Sequence, residues 1–252
     1  METEKENRDA PRTALVTGAS RGIGVGIARA LAAAGHRVAV GYRTQVQAAE
    51  RLADELGGIA VEIELDDDAS VRAAVAETVE ALGPPLVLVN NAAKAQEKPF
   101  LDITDDDWAH MLSVNLLGAV RATRACLPAM LDAGFGRVVN VSSIGGQWGG
   151  RNQVHYAASK AALINFTRSL SNLYAERGVT ANAIAPGLVA TEMSSTELAS
   201  DAGKAKVKGI PLGRLGTVDE VGATAAFLCS VEAAYISGET FNLNGGMYRE
   251  RS

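Results

Sequence analysis

The sequence predicts an α/β fold: one doubly wound parallel sheet of about seven strands with helices on both faces. Three observations carry this. Short β-branched runs alternate with long alanine-rich stretches at helical spacing, which is the rhythm of βαβ units. Several of the short runs are apolar without alternation, as in strands covered on both faces. The length, 252 residues, suits a single domain built around one large core.

Strands are predicted at 13–16, 38–42, 59–65, 86–89, 137–141, 180–185 and 240–243, each a run of Val, Ile, Leu, Thr or Ala. Helical periodicity occupies 22–34, 45–56, 69–82, 105–131, 156–177 and 218–230. Thr104 precedes Asp105, Asp106 and Asp107, a cap followed by carboxylates that suit the positive end of a helix. Residues 1–11 are polar and mixed in charge and read as a disordered tail, leaving 12–252 as the folded domain. The segment 191–209 has no periodicity. A loop of that length inside a compact domain is usually functional, so it is expected to be a mobile cover over a substrate.

Composition excludes several classes. The chain is 47% apolar and 21% charged with a formal charge of −5, so it lacks the basic face that nucleic acid requires. No run reaches the roughly 20 apolar residues of a membrane span, and no apolar leader precedes the first strand. Cys126 and Cys229 stand far apart without metal-like spacing, and the three histidines form no ligand set, so no metal is expected. Buried free thiols in a reducing cytoplasm are the expectation.

The first motif that carries chemistry is Thr17-Gly18-Ala19-Ser20-Arg21-Gly22-Ile23-Gly24, placed between a predicted strand and a predicted helix. Glycines there let the backbone approach a pyrophosphate whose charge the helix N-terminus holds. In that context it reads as the phosphate-binding turn of a Rossmann-type dinucleotide-binding domain; the alternative is an ordinary glycine-rich strand-to-helix turn. An acid at the end of the second strand would favour an unphosphorylated ribose. The sequence instead reads Tyr42-Arg43-Thr44, and Arg43 with Arg21 can receive a 2′-phosphate. NADPH is therefore expected over NADH; the alternative is that both arginines are solvated surface residues.

A second constellation is Ser143, Tyr156 and Lys160. Four residues apart on one helix, Tyr156 and Lys160 share a face. An ammonium about 4 Å from a phenol contributes roughly 4 kcal/mol at an effective dielectric of 20, enough to draw the tyrosine from about 10 towards a working pH.

Together with NNAA at Asn90, Asn91, Ala92 and Ala93, with Asn115, and with PGLVAT from Pro186 to Thr191, these motifs resemble the short-chain dehydrogenase/reductase family. Within it the chain is similar to bacterial 3-oxoacyl-[acyl-carrier-protein] reductases, from about Arg12 to Tyr248. The resemblance implies a ketoreductase that reduces a 3-oxoacyl thioester, carrier- or CoA-bound, in fatty-acid or polyketide-type synthesis. It implies Tyr156 as general acid and Ser143 as hydrogen-bond donor to the carbonyl. Lys160 would hold the nicotinamide ribose, and Asn115 a relay water. Gly18, Ser20, Arg21, Gly22, Ile23, Gly24, Arg43, Thr44, Glu64, Leu65, Asn90, Asn91, Ala92, Ile184, Pro186, Gly187, Val189 and Thr191 would border the cofactor. Ala93 stands where the family commonly has glycine, and Gly134 where an arginine for an acidic carrier is common; Arg177 fits a second such place. A homotetramer built through the helices at 105–131 and 156–177 and the last strand is also implied.

Between Ser143 and Tyr156 the chain must line the pocket, so Gln147, Trp148, Gln153 and His155 are substrate candidates, with Lys94 and Gln96 beyond the NNAA turn. Two other functions stay open: a same-family dehydrogenase of a sugar, steroid or other small alcohol, and a non-catalytic nucleotide-binding protein.

Overall fold

A computed structural model describes residues 11–150, 152–191, 205 and 207–247. The tail 1–11, apart from Pro11, and most of the expected cover 191–209 lie outside them. Among the described residues, seven parallel strands form one sheet in the order β3-β2-β1-β4-β5-β6-β7: β1 Thr13–Val16, β2 Arg37–Tyr42, β3 Ile59–Glu62, β4 Pro85–Asn90, β5 Gly136–Val141, β6 Val179–Pro186 and β7 Thr240–Leu243. The helices are α1 Ile23–Ala33, α2 Val46–Leu56, α3 Asp68–Leu82, α4 Asp105–Leu112, α5 Gly118–Asp132, α6 Gly145–Trp148, α7 Val154–Tyr174 and α8 Val218–Cys229. The strand order reverses between β1 and β4, where open α/β sheets of this kind form their ligand crevice.

Residues on a strand alternate between faces, so burial on both faces demands an unbroken apolar run. Ala14 and Val16 of β1 join Ile27, Leu31, Val40, Val89, Val141 and Leu228 in one core. Leu15 between them joins Val61, Leu88, Cys126, Met130 and Leu170 on the other side. α1 and α8 cross at two glycines: a Cβ on Gly26 would stand 2.3 Å from the Val218 carbonyl oxygen, and one on Gly222 2.3 Å from that of Gly26. Burial pushes the thiols of Cys126 and Cys229 up to about 12, so neither is a nucleophile at neutral pH. Among the described residues no helix is long and apolar enough to cross a membrane.

Most boundaries shift by one to three residues, and three differences from expectation go further. The third strand ends at Glu62 rather than at 65, because the Glu64 amide turns to Ser70 Oγ at 2.9 Å instead of continuing a ladder. The helix expected over 105–131 is interrupted by a π turn at Ser113–Leu117. A four-residue helix, α6, occupies part of what reads as pocket loop. The capping signals hold: Thr104 Oγ1 accepts from the Asp107 amide and Asp107 answers to the Thr104 amide, and Thr217 with Glu220 repeats the device at α8.

Candidate active site

The expected cofactor turns meet at the C-terminal ends of β1, β4 and β6. Gly18 (φ 63°) and Gly22 (φ 56°) hold left-handed backbone, which a side chain would strain. A Cβ on Gly18 would also lie 2.8 Å from Ala92. Asn91 Nδ2 donates to the carbonyls of Thr17 and Gly18, both at 3.0 Å. Thr17 Oγ1 accepts from the amides of Asn91 and Ala92 at 3.0 and 3.1 Å. Space above Gly22 opens towards Thr191, whose Cγ2 would lie 3.6 Å from an added Cβ. No side chain caps α1, so its first amides are left to an anion, with Ser20 and Ile23 flanking Gly22. The residues present thus fit a dinucleotide.

Other expected cofactor residues are placed less directly. Arg43 and Thr44 follow β2 on the surface; Arg43 Nη1 lies 3.2 Å from Glu64 Oε1. Leu65 is buried beneath Gly118, and its carbonyl is held by Arg121 Nη1 at 2.8 Å, so backbone is what it presents. The Asn90 side chain is turned into the protein interior. Its Nδ2 donates to Asn140 Oδ1 at 2.8 Å, and Asn140 Nδ2 to Thr167 Oγ1 at 2.8 Å, which joins β4, β5 and α7 inside the protein. Ala93 needs no glycine, since Asn152 is the only non-glycine with positive φ among the described residues.

The catalytic candidates come together at the mouth between β5 and α7. Ser143 Oγ accepts from the Gly145 amide at 3.0 Å. Burial raises the Tyr156 phenol above its ordinary range, and a hydrogen bond with Ser143 opposes that rise. Lys160 is buried, and Nζ donates to the Val141 carbonyl at 2.6 Å; burial pushes its ammonium down to about 8. Nζ stands 5.9 Å from the Tyr156 ring centre. Asn115 sits in the π turn with its amide fully engaged: Oδ1 accepts from the Lys94 amide at 2.8 Å, while Nδ2 donates to Ser159 Oγ at 3.0 Å and to the Lys94 carbonyl at 2.9 Å. Ser159 Oγ in turn donates to the Tyr156 carbonyl at 2.7 Å. Ser159, inside the motif YAASK, is a link that spacing alone did not single out.

The substrate candidates divide. Trp148 is half exposed beside Gly149 and Gly150, and Gln147 lies under the same turn. Lys94 offers an exposed side chain while its backbone clamps Asn115. Gln153 is turned to Glu97 at 3.1 Å. His155 is a correction: it is fully buried, against the edge of Trp108. Gln96 gives its amide nitrogen to Asp107 at 3.0 Å, so its oxygen faces His155 Nε2 at 2.8 Å and the imidazole donates. Successive helical residues point about 100° apart, so the turn that aims Tyr156 at the cleft aims His155 away from it. Lys98, with Thr104 and Gln96, holds Asp107 well below the usual carboxylate range and completes this strap beside the mouth.

A crevice that fits a dinucleotide at the switch point, with Ser, Tyr and Lys at its edge, defines a nicotinamide-dependent oxidoreductase. The family model described as Enoyl-(Acyl carrier protein) reductase matches residues 18–248, and the chain belongs to this short-chain dehydrogenase/reductase family. It is similar to the 3-oxoacyl-[acyl-carrier-protein] reductase FabG of Escherichia coli (strain K12), 39% identical over 239 residues, 94% of this chain and 97% of that protein. It is similar to the acetoacetyl-CoA reductase of Shinella zoogloeoides, 39% identical over 237 residues, 94% of this chain and 98% of that protein. A crystal structure of a gluconate 5-dehydrogenase from Burkholderia cenocepacia J2315, in complex with NADP and tartrate, matches with a TM-score of 0.87 at 32% identity, covering 95% of this chain and 97% of that one.

Proposed function

We propose that the chain reduces the ketone of a 3-oxoacyl thioester to the 3-hydroxyacyl form with NADPH. The observation that carries this is the convergence of two hydroxyls, Ser143 with its acceptor side already held by Gly145 and Tyr156 beside it, on the edge of the crevice. Two relatives of equal identity are named for reduction of a 3-oxoacyl group and of acetoacetyl-CoA.

The nicotinamide, when bound, supplies the hydride. Gly18, Ser20 and Gly22 to Gly24 would hold its pyrophosphate, Arg21 and Arg43 with Thr44 would hold a 2′-phosphate, and Pro186, Gly187, Val189 and Thr191 would border the ring. Ser143 donates to the substrate carbonyl oxygen, and Tyr156 gives its proton to the same oxygen as charge develops there. Lys160 holds the ribose and is recharged with protons along a relay that Asn115 supports. Lys94, Gln147 and Trp148 line the entrance.

CoA or a carrier protein would present the acyl group. Gly134 holds φ 58° just past α5, where an arginine would be strained, so docking of an acidic carrier rests on residues such as Arg177. The protein acts in the cytoplasm as a homotetramer; exposed Leu117, Leu173 and Tyr235 on or near the expected interface elements support association.

Steady-state NADPH oxidation tests the reading. A 3-oxobutyryl thioester is expected to exceed both the 2-enoyl thioester and 5-ketogluconate by at least about tenfold in kcat/KM, the scale of one or two pocket contacts. A faster enoyl thioester or keto acid overturns it.

A further inference from the structure

The proposed 2′-phosphate site contains a carboxylate. Arg43, just past β2, and Glu64, just past β3, lie side by side because Tyr42 pairs with Glu62 at the ends of these strands. Their side chains meet through one contact of 3.2 Å between Nη1 and Oε1. Glu64 is fixed at its root, its amide donating to Ser70 Oγ and its carbonyl accepting from the Asp67 amide at 3.1 Å. The acids that follow are engaged elsewhere: Asp66 faces His110 at 3.7 Å, Asp67 caps α3, and Asp68 binds Arg72 and Arg124. Among the described residues of this rim, Glu64 alone is directed at Arg43.

Resting on the assignment of Arg43 to the 2′-phosphate, we propose that Glu64 is the counter-charge that sets how strongly the site prefers a phosphorylated cofactor. The single contact leaves the remaining guanidinium donors available to a phosphate on the other side. Glu64 partly cancels the cation's charge and repels a group that carries about −1.5 to −2. At about 6 Å, across a solvent-exposed and salt-screened gap, that repulsion corresponds to roughly three- to tenfold in affinity. An exposed ion pair contributes little orientation in return. The carboxylate thus lowers the discrimination that Arg21 and Arg43 would otherwise give.

Calorimetric binding of 2′,5′-ADP and 5′-AMP tests this without turnover. E64Q is expected to tighten 2′,5′-ADP about three- to tenfold and to leave 5′-AMP unchanged, with a steeper salt dependence for 2′,5′-ADP. Equal changes for both nucleotides would place Glu64 at the adenine and overturn the proposal. An unchanged or weaker 2′,5′-ADP affinity also overturns it. R43Q separates the two levels: if it leaves the 2′,5′-ADP preference intact, the assignment of Arg43 fails. If it abolishes that preference while E64Q brings no gain, only the role of Glu64 fails.

Discussion

Lys160→Met is expected to reduce turnover by two or more orders of magnitude, the scale of a lost proton-handling group, and at the same time to make the protein more stable. Lys160 is among the largest fully buried side chains, and its one protein hydrogen bond among the described residues is to the Val141 carbonyl. Burial moves its ammonium from the ordinary 10.5 to about 8. At about 1.4 kcal/mol per pH unit, holding that proton in the folded state costs about 3 kcal/mol at neutral pH. The folded pKa is below the unfolded one, so between about 8 and 10.5 the unfolded chain binds more protons. Wild-type stability should then rise with pH across that window from this residue. Methionine has similar volume and no charge. After about 1 kcal/mol for the orphaned carbonyl, the variant should gain about 1–3 kcal/mol at pH 7, raising Tm by roughly 2–12 °C. Its advantage should shrink between pH 8 and 10.5. Thermal melts across this range check the point; an inactive and less stable variant would make Lys160 a structural residue.

Gly222→Val should remove a large part of the stability. An added Cβ would meet the Gly26 carbonyl oxygen at 2.3 Å and its carbon at 2.7 Å. Both belong to helix backbone that cannot rotate away. α1 and α8 would have to separate, and α1 carries the Gly22 turn, so the anion site moves with it. Overpacking typically costs 1–3 kcal/mol where side chains can yield; against backbone the expectation is about 3 kcal/mol or more, out of a total of roughly 5–15. Tm should fall by about 6–12 °C, with weakened binding of NADPH. A fall of less than about 3 °C would show that the crossing is not close-packed.

The sheet was legible because its strands are covered on both faces, which forces runs such as TALV and PLVLV; the ends were less so, since Glu64 leaves the ladder for a serine hydroxyl. A π turn inserts one residue without disturbing apolar spacing enough to be seen, so Ser113–Leu117 passed as helix. α6 has two glycines in four residues and little helical tendency; contact makes it, since Gly146 lies against the backbone of Lys160. The proposed catalytic residues were legible as a motif. The surroundings of Lys160, with its carbonyl partner and its lowered pKa, depend on the third dimension. His155 shows the same limit, because adjacency to Tyr156 in the chain says nothing of which side of the helix it takes.

The proposed reaction delivers hydride to a ketone carbon at position 3 of an acyl thioester. Incubation of a 3-oxobutyryl thioester with nicotinamide-deuterated NADPH, followed by mass spectrometry of the product, checks it. The expected product is a 3-hydroxybutyryl thioester carrying one deuterium on carbon 3, absent when Tyr156 is replaced by phenylalanine. Unchanged substrate, or deuterium in a reduced enoyl thioester supplied alongside, would contradict it.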